Sequence, residues 1–306
     1  MVVKRAGLVL VLLVVGLPAA AAQDLLGTRS VGMGGTLRAA PTGETAVLLN
    51  PAGMSLTRAY IINALYQYRA SDAGSLVNVS IVDSATKKIA AGLYYSYVHA
   101  SPSRTFYDPT GLRFSGVFDL KETIQAHEVG LSLSYPLANL IHLGVTNKYI
   151  NVKVEQPEDT PEVVQDDGDA GYTMDIGLIV TPLPGLNLGV VYSNAIPVEH
   201  PYYTRQLGMG LAYSMGTSFL AEFDAVLDFD RSEDVKASYH GGAELFLGSS
   251  FALRGGVMHD TYRKATFATG GLGLVTRKLA LDFGLRQMVD GGAETLLAFS
   301  VRLFLQ

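Results

Sequence analysis

The sequence predicts an all-β protein, a transmembrane antiparallel β-barrel of about fourteen strands with an N-terminal plug, or hatch. Three observations predict it. The chain opens with an export-type segment, most of the remainder alternates apolar and polar side chains with period two, and short connections alternate with long ones.

The first element is a signal peptide, residues 1–22. Lys4 and Arg5 are its basic start, Gly7 to Leu17 its apolar run, and Ala20-Ala21-Ala22 the small residues that a signal peptidase cuts. The apolar run is shorter than the roughly 20 residues a membrane helix needs, and no later stretch reaches that length. There is no cysteine, so disulfides, Cys-based metal sites and a lipid anchor on cysteine are excluded. Charged residues make up only 17% of the chain and hydrophobic ones 48%. Soluble proteins carry about 25% charged residues. High apolar content without helical spans implies strands that face lipid on one side.

Residues 23–57 are the second element, the hatch. Their periodicity is poor and glycine is frequent. Gly32, Gly34 and Gly35 permit positive φ and close backbone approach, and Asn50-Pro51-Ala52-Gly53 reads as a turn. Val47, Leu48, Leu49 and Met54 require cover from water, and a lumen fourteen strands wide has room to provide it.

The third element, residues 58–306, is the barrel. Strands are expected at 58–69, 74–83, 88–99, 122–135, 139–154, 171–182, 185–195, 203–215, 217–229, 234–247, 250–260, 265–276, 278–290 and 293–305. In the last, Leu297, Phe299, Val301, Leu303 and Leu305 share one face, and Ala298, Ser300, Arg302 and Phe304 the other. A lipid-facing Arg at the midplane costs roughly 2–4 kcal/mol, so charged faces point inward. Expected lumen residues are Glu128, Lys148, Asp175, Glu222, Asp224, Lys236, Glu244, Arg254, Asp282, Arg286 and Arg302, giving a polar lumen of mixed sign, with His142 and His240 solvated within it. Tight turns such as Leu183-Pro184-Gly185 and Gly248-Ser249 fall at one end, and the long connections 100–121 and 155–170 at the other. With the first strand taken to rise from the periplasm, the even strand count places both termini there. A soluble sandwich would not sort its loops in this way.

The run Gly27-Thr28-Arg29-Ser30-Val31-Gly32-Met33-Gly34-Gly35, followed by Asn50-Pro51-Ala52-Gly53, resembles the start of the FadL/PorV superfamily of bacterial outer-membrane barrels. Arg29, the Gly-Met-Gly-Gly run and the Asn-Pro-Ala-Gly form are closer to the PorV/PorQ branch. Family members usually carry a pair of acids before the second motif; here Glu44 stands alone. The resemblance implies a 14-stranded barrel closed by a hatch, with Arg29, Gly32, Gly34, Gly35, Asn50, Pro51, Ala52 and Gly53 as the hatch motif.

Function is expected from the same features. No catalytic constellation is present. The histidines are scattered without metal-ligand spacing, no cofactor is implied, and no basic cluster suggests nucleic acid. The acidic residues of loop 155–169 lack the fixed spacing of a dedicated Ca²⁺ site and read as a solvated surface. Loop 100–121 carries Phe106, Tyr107, Leu112, Phe114 and Phe118, a capture surface for a hydrophobic ligand or a contact for a partner. The resemblance implies passive transport of hydrophobic or amphipathic small molecules across the outer membrane, with membrane lipid as the surrounding partner. The alternative it implies is a PorV-like scaffold, not itself a transporter, that docks partner proteins for secretion or surface motility.

Overall fold

The computed structural model describes residues 13–14, 26–108, 116–138, 140–157, 168–198, 200, 203–290 and 292–305. The proposed signal peptide falls almost entirely outside the described residues, as do most of the acidic loop and Leu112 and Phe114; the side chains of Phe106, Tyr107 and Phe118 are outside them as well.

The alternating segments fold as fourteen strands in a closed antiparallel barrel: β1 Tyr60–Arg69, β2 Gly74–Asp83, β3 Ala90–Ala100, β4 Thr123–Ala138, β5 Ile141–Glu155, β6 Ala170–Leu183, β7 Leu186–Ser193, β8 Gln206–Met215, β9 Phe219–Asp228, β10 Lys236–Leu247, β11 Phe251–Asp260, β12 Ala265–Val275, β13 Leu279–Met288 and β14 Thr295–Leu305. Each strand pairs with its neighbours in sequence, and β14 closes on β1 with Leu305 opposite Tyr60 and Leu296 opposite Arg69. Closure leaves no strand edge unpaired, which a bilayer interior demands.

Period two then sorts the side chains. Val79, Leu93, Leu131, Leu178, Leu211, Phe223, Leu253, Leu272, Phe283 and Phe299 are exposed on the outer face. An apolar girdle of this extent would not be left in water and matches the lipid-facing band of a membrane barrel. The chain has no tryptophan. Exposed tyrosines stand toward the strand ends instead, Tyr135 and Tyr213 at one end and Tyr68, Tyr172 and Tyr239 at the other. There the amphipathic ring suits the membrane–water boundary.

One end of the barrel carries the tight turns, with Gly185, Gly216 and Gly248 at positive φ; it is called the short-turn end below. The opposite loop end carries the connections at 101–122, 156–169 and 194–205. The first of these is not simply a loop. Ser103–Asp108 pairs with Gly116–Lys121 as a hairpin, with Leu13–Val14 along its edge, so strand structure extends beyond the barrel wall.

Candidate functional site

The hatch is folded inside the barrel. It consists of α1 Thr28–Gly32, α2 Glu44–Leu49 and a 3-10 helix at Pro51–Ser55. The Asn-Pro-Ala-Gly segment is therefore a short helix rather than a plain turn. Asn50 caps it, its side-chain oxygen accepting from the Ala52 amide at 3.2 Å, and Pro51 takes the first-turn position where its missing N–H costs nothing.

What seats the hatch is a set of wall glycines that the sequence reading did not single out. Gly144 lies opposite Gly177, Gly189 opposite Gly210, Gly242 opposite Gly256, and Gly271 opposite Gly284. Each cross-strand pair lies beneath hatch backbone. A Cβ on Gly177 would overlap the Asn50 side-chain oxygen, and one on Gly144 the Ala52 amide. Gly189 and Gly210 carry Arg38 and Ala39, Gly242 and Gly256 carry Met33 and Gly34, and Gly271 and Gly284 carry Gly32 and Thr28. Glycine inside a strand weakens it and marks close approach by another backbone. The signal was available in the inward-facing glycines of strand after strand, but the pairing needed the register.

The hatch motif residues meet this wall directly. Gly34 takes φ +73°, and a Cβ there would lie 2.6 Å from the carbonyl oxygens of Gly241 and Val257. Its amide donates to Thr269 Oγ1 at 2.8 Å, and its carbonyl lies 2.8 Å from His240 Nδ1. Gly35 takes φ +80° against the same imidazole. The Asn50 side-chain Nδ2 donates to the Arg38 carbonyl at 2.7 Å, and Ser134 Oγ to the Ala52 carbonyl at 3.1 Å. Gly53 packs on Pro41. The Glu222 carboxylate accepts the Ala39 amide at 2.6 Å, and Arg38 pairs with Asp224 at 3.1 Å.

A chain of ion pairs starts and ends on the hatch. Arg29 meets Glu244 at 2.6 Å, Glu244 meets Arg254 at 2.6 Å, Arg254 meets Asp282 at 2.7 Å, and Asp282 meets Arg302 at 2.6 Å. Arg302 Nε then lies 3.8 Å from Glu44, back on α2. Glu44 is fully buried, and neither of its oxygens has a hydrogen-bond partner among the described residues. Burial pushes its carboxyl up, and Arg302 offsets this only in part. The folded state therefore holds this proton more tightly than the unfolded chain. A destabilising contribution grows as pH rises through the unfolded pKa and levels off above the folded one. Glu44→Gln is expected to remove that pH dependence, so the variant gains on the native chain as pH rises. Urea unfolding in detergent micelles at a series of pH values checks this; parallel curves would refute it.

The remaining expected lumen residues lie in two other places. Glu128, Lys148 and Asp175 form a buried group with Tyr94 and Asn194, Lys148 lying 2.7 Å from Asp175. Arg286 is buried toward the loop end, 2.8 Å from Glu294, and Lys236 lies half-buried at the rim, 3.7 Å from Asp234. Two expectations are corrected. His142 and His240 are not solvated; both are buried, His142 lying 2.8 Å from Ser55 Oγ and His240 against Gly34, because the hatch covers them. Nor is the lumen polar throughout. In its loop-end half, Leu65, Leu76, Val98, Ile124, Ile150, Val152 and Leu296 face inward from β1 to β5 and β14, with Leu49, Val198 and Tyr203 packed on them. The opposite arc presents Asp228, His240 and Asp260. β14 carries Arg302 and Leu296 on one inner face, and β4 carries Glu128 and Ile124, so a strand-wide average concealed the apolar arc.

Below the hatch, at the short-turn end, lies a cavity of ≈ 1090 Å³. Arg29, Thr42, Arg254 and Arg302 are in its upper lining, and Leu220, Phe246, Val275 and Phe304 in its lower.

No protein-family model matches the chain, and no curated protein matches it in sequence. Solved structures do match it in fold. The toluene transporter TbuX of Ralstonia pickettii superposes with a TM-score of 0.73 at 14% identity, covering 92% of this chain and 98% of that one. The toluene transporter TodX of Pseudomonas putida gives 0.71 at 12% identity, covering 92% and 99%. A FadL homologue of Pseudomonas aeruginosa gives 0.66 at 12% identity, covering 90% and 97%. Over nearly its whole length, this chain has the fold of these barrels.

Proposed function

We propose that this protein is an outer-membrane channel for the passive movement of apolar small molecules. The observation that carries the reading is the apolar arc inside the loop-end half of the barrel. A membrane barrel that passes polar solutes has a polar interior. Here the inner wall from β14 round to β5 is a packed hydrocarbon surface under Leu49, Val198 and Tyr203, which an apolar ligand would reach by displacing them. The fold shared with two toluene transporters supports the same class of ligand.

In this reading residues 1–22 direct export, 23–57 are the hatch and 58–306 the barrel, with both termini and the short-turn end in the periplasm. The aromatic residues of loop 100–121 capture the ligand, and the apolar arc receives it. The hatch motif, from Arg29 to Gly35 and Asn50 to Gly53, blocks straight passage until it shifts. The charged lumen residues brace the hatch and wall. No energy source is required.

The test is toluene entry into proteoliposomes carrying the native barrel or Ile124→Asp with Ile150→Asp. Each substitution places an unpaired carboxylate in the apolar arc. Entry is expected to fall to the level of empty liposomes in the double variant while the barrel remains folded on gels. Equal entry with native, variant and no protein would sink the channel reading and turn attention to the protein-docking scaffold.

A further inference from the structure

We propose that the connection between β7 and β8 carries a lid over the apolar arc, which opens when an apolar molecule takes the place of Val198 and Tyr203. The inference rests on the channel reading and names the part that moves.

The feet of this connection are fixed by directional bonds. Asn194 leaves β7 at φ +55°, a left-handed conformation that turns the chain off the strand. Its amide donates to Asp175 Oδ1 at 2.9 Å, and its side-chain oxygen accepts from Lys148 Nζ at 2.6 Å. Its Nδ2 donates to the Thr204 carbonyl at 2.9 Å, which ties the far foot to the near one. Thr204 Oγ1 donates in turn to Asp228 at 2.7 Å. The buried group at Lys148 and Asp175 thus serves as the foundation of the connection.

Between the feet the contacts are of another kind. The His200 amide donates to the Val198 carbonyl at 2.7 Å and the Tyr203 amide to the His200 carbonyl at 3.0 Å, both within the connection itself. Val198 and Tyr203 are buried in the apolar cluster that includes Leu49, Ile124 and Ile150. Val198 rests on Gly171, where an added Cβ would stand 3.2 Å from a Val198 methyl. Gly171 lies opposite Ile150 across β6 and β5. A molecule seated on Ile150 at this height therefore takes the space of Val198. Apolar contact is non-directional, so a hydrocarbon replaces it with little loss. The bonds at Asn194 and Thr204 would be lost outright if the feet moved, and buried polar groups left unpaired are costly. Opening is confined to the stretch between the feet, with the φ and ψ changes taken up beside them.

The native chain has no cysteine, so introduced thiols are read without background. A Cβ at position 171 lies 3.8 Å from the Val198 Cβ, within the span of a disulfide. Gly171→Cys with Val198→Cys, once oxidised, is expected to admit toluene into proteoliposomes no faster than empty liposomes do, and reduction should restore entry. Equal entry before and after reduction, where the native barrel admits toluene, overturns the proposal. A second measurement stands if the pair does not oxidise. Val198→Cys alone is labelled with a water-soluble maleimide, and toluene is expected to speed labelling about tenfold or more by favouring the open state. Ala280→Cys is buried near the short-turn end and should label slowly with or without toluene. Labelling of Val198→Cys that ignores toluene, or equal acceleration at Ala280→Cys, overturns the lid. Faster labelling at position 198 in a barrel that admits no toluene would keep the lid and sink the channel reading; native entry with labelling unchanged would do the reverse.

Discussion

Gly144→Val combined with Gly177→Val is expected to expel the hatch and turn a plugged barrel into a conducting one. The two glycines face each other across β5 and β6, and the Asn50-Pro51-Ala52 backbone rests on both. At Gly144 the atoms that a new Cβ would overlap are backbone, the Ala52 amide and the Pro51 carbonyl carbon; at Gly177 the nearest is the Asn50 side-chain oxygen, whose amide group is tied to the Arg38 carbonyl. Overpacking a well-packed site costs about 1–3 kcal/mol per substitution, and more where backbone must move. The wall itself should tolerate the change, since valine suits a strand better than glycine does. The measurement is single-channel conductance in planar bilayers, with Gly270→Val as control. A Cβ at Gly270 meets nothing within 4 Å, so that barrel should remain closed. If the double variant is as silent as the native protein, the glycine pairs do not seat the hatch.

The second large effect is expected at Glu244. Its carboxylate is shared by Arg29 from the hatch and Arg254 from the wall, both at 2.6 Å, and its side chain is 3% exposed. Glu244→Ala leaves two guanidinium groups competing for fewer partners in a buried place. Removing one member of a buried ion pair costs about 3–5 kcal/mol. Arg29→Met should cost much less, because Glu244 then keeps Arg254 and no acid is stranded. The order of the two variants, read from urea unfolding midpoints and confirmed by conductance, is the decisive result. Equal losses would mean that Arg29 holds the hatch by some other route than Glu244.

The parts legible in the sequence are those governed by local rules. Alternation along 295–305 announces a strand whether or not its neighbours are known, and Gly248-Ser249 announces a turn. All fourteen barrel strands overlap their expected segments for this reason. The inward direction of Glu222, Glu244 and Arg302 followed from the cost of charge in hydrocarbon. Less legible was anything that depends on height within the barrel. Ile124 and Glu128 share the inner face of β4, yet the first belongs to an apolar arc and the second to a buried polar group with Tyr94. The buried state of His240 depends on Gly34, which is 206 positions away in sequence.

The sequence by itself determined the architecture: side-chain period sets strand faces, turn residues set the meander, and low charge with an apolar outer face sets the solvent as lipid. It also marked the hatch as distinct, because its glycine-rich residues carry no strand period. Only the tertiary structure decided how that hatch is held. Whether Gly242 lies opposite Gly256, and whether Met33 and Gly34 lie above them, is a matter of strand register and of how the plug enters the lumen. The closure of the ion-pair chain from Arg29 back to Glu44 likewise joins side chains that are remote in sequence, brought together only when the barrel closes around its plug.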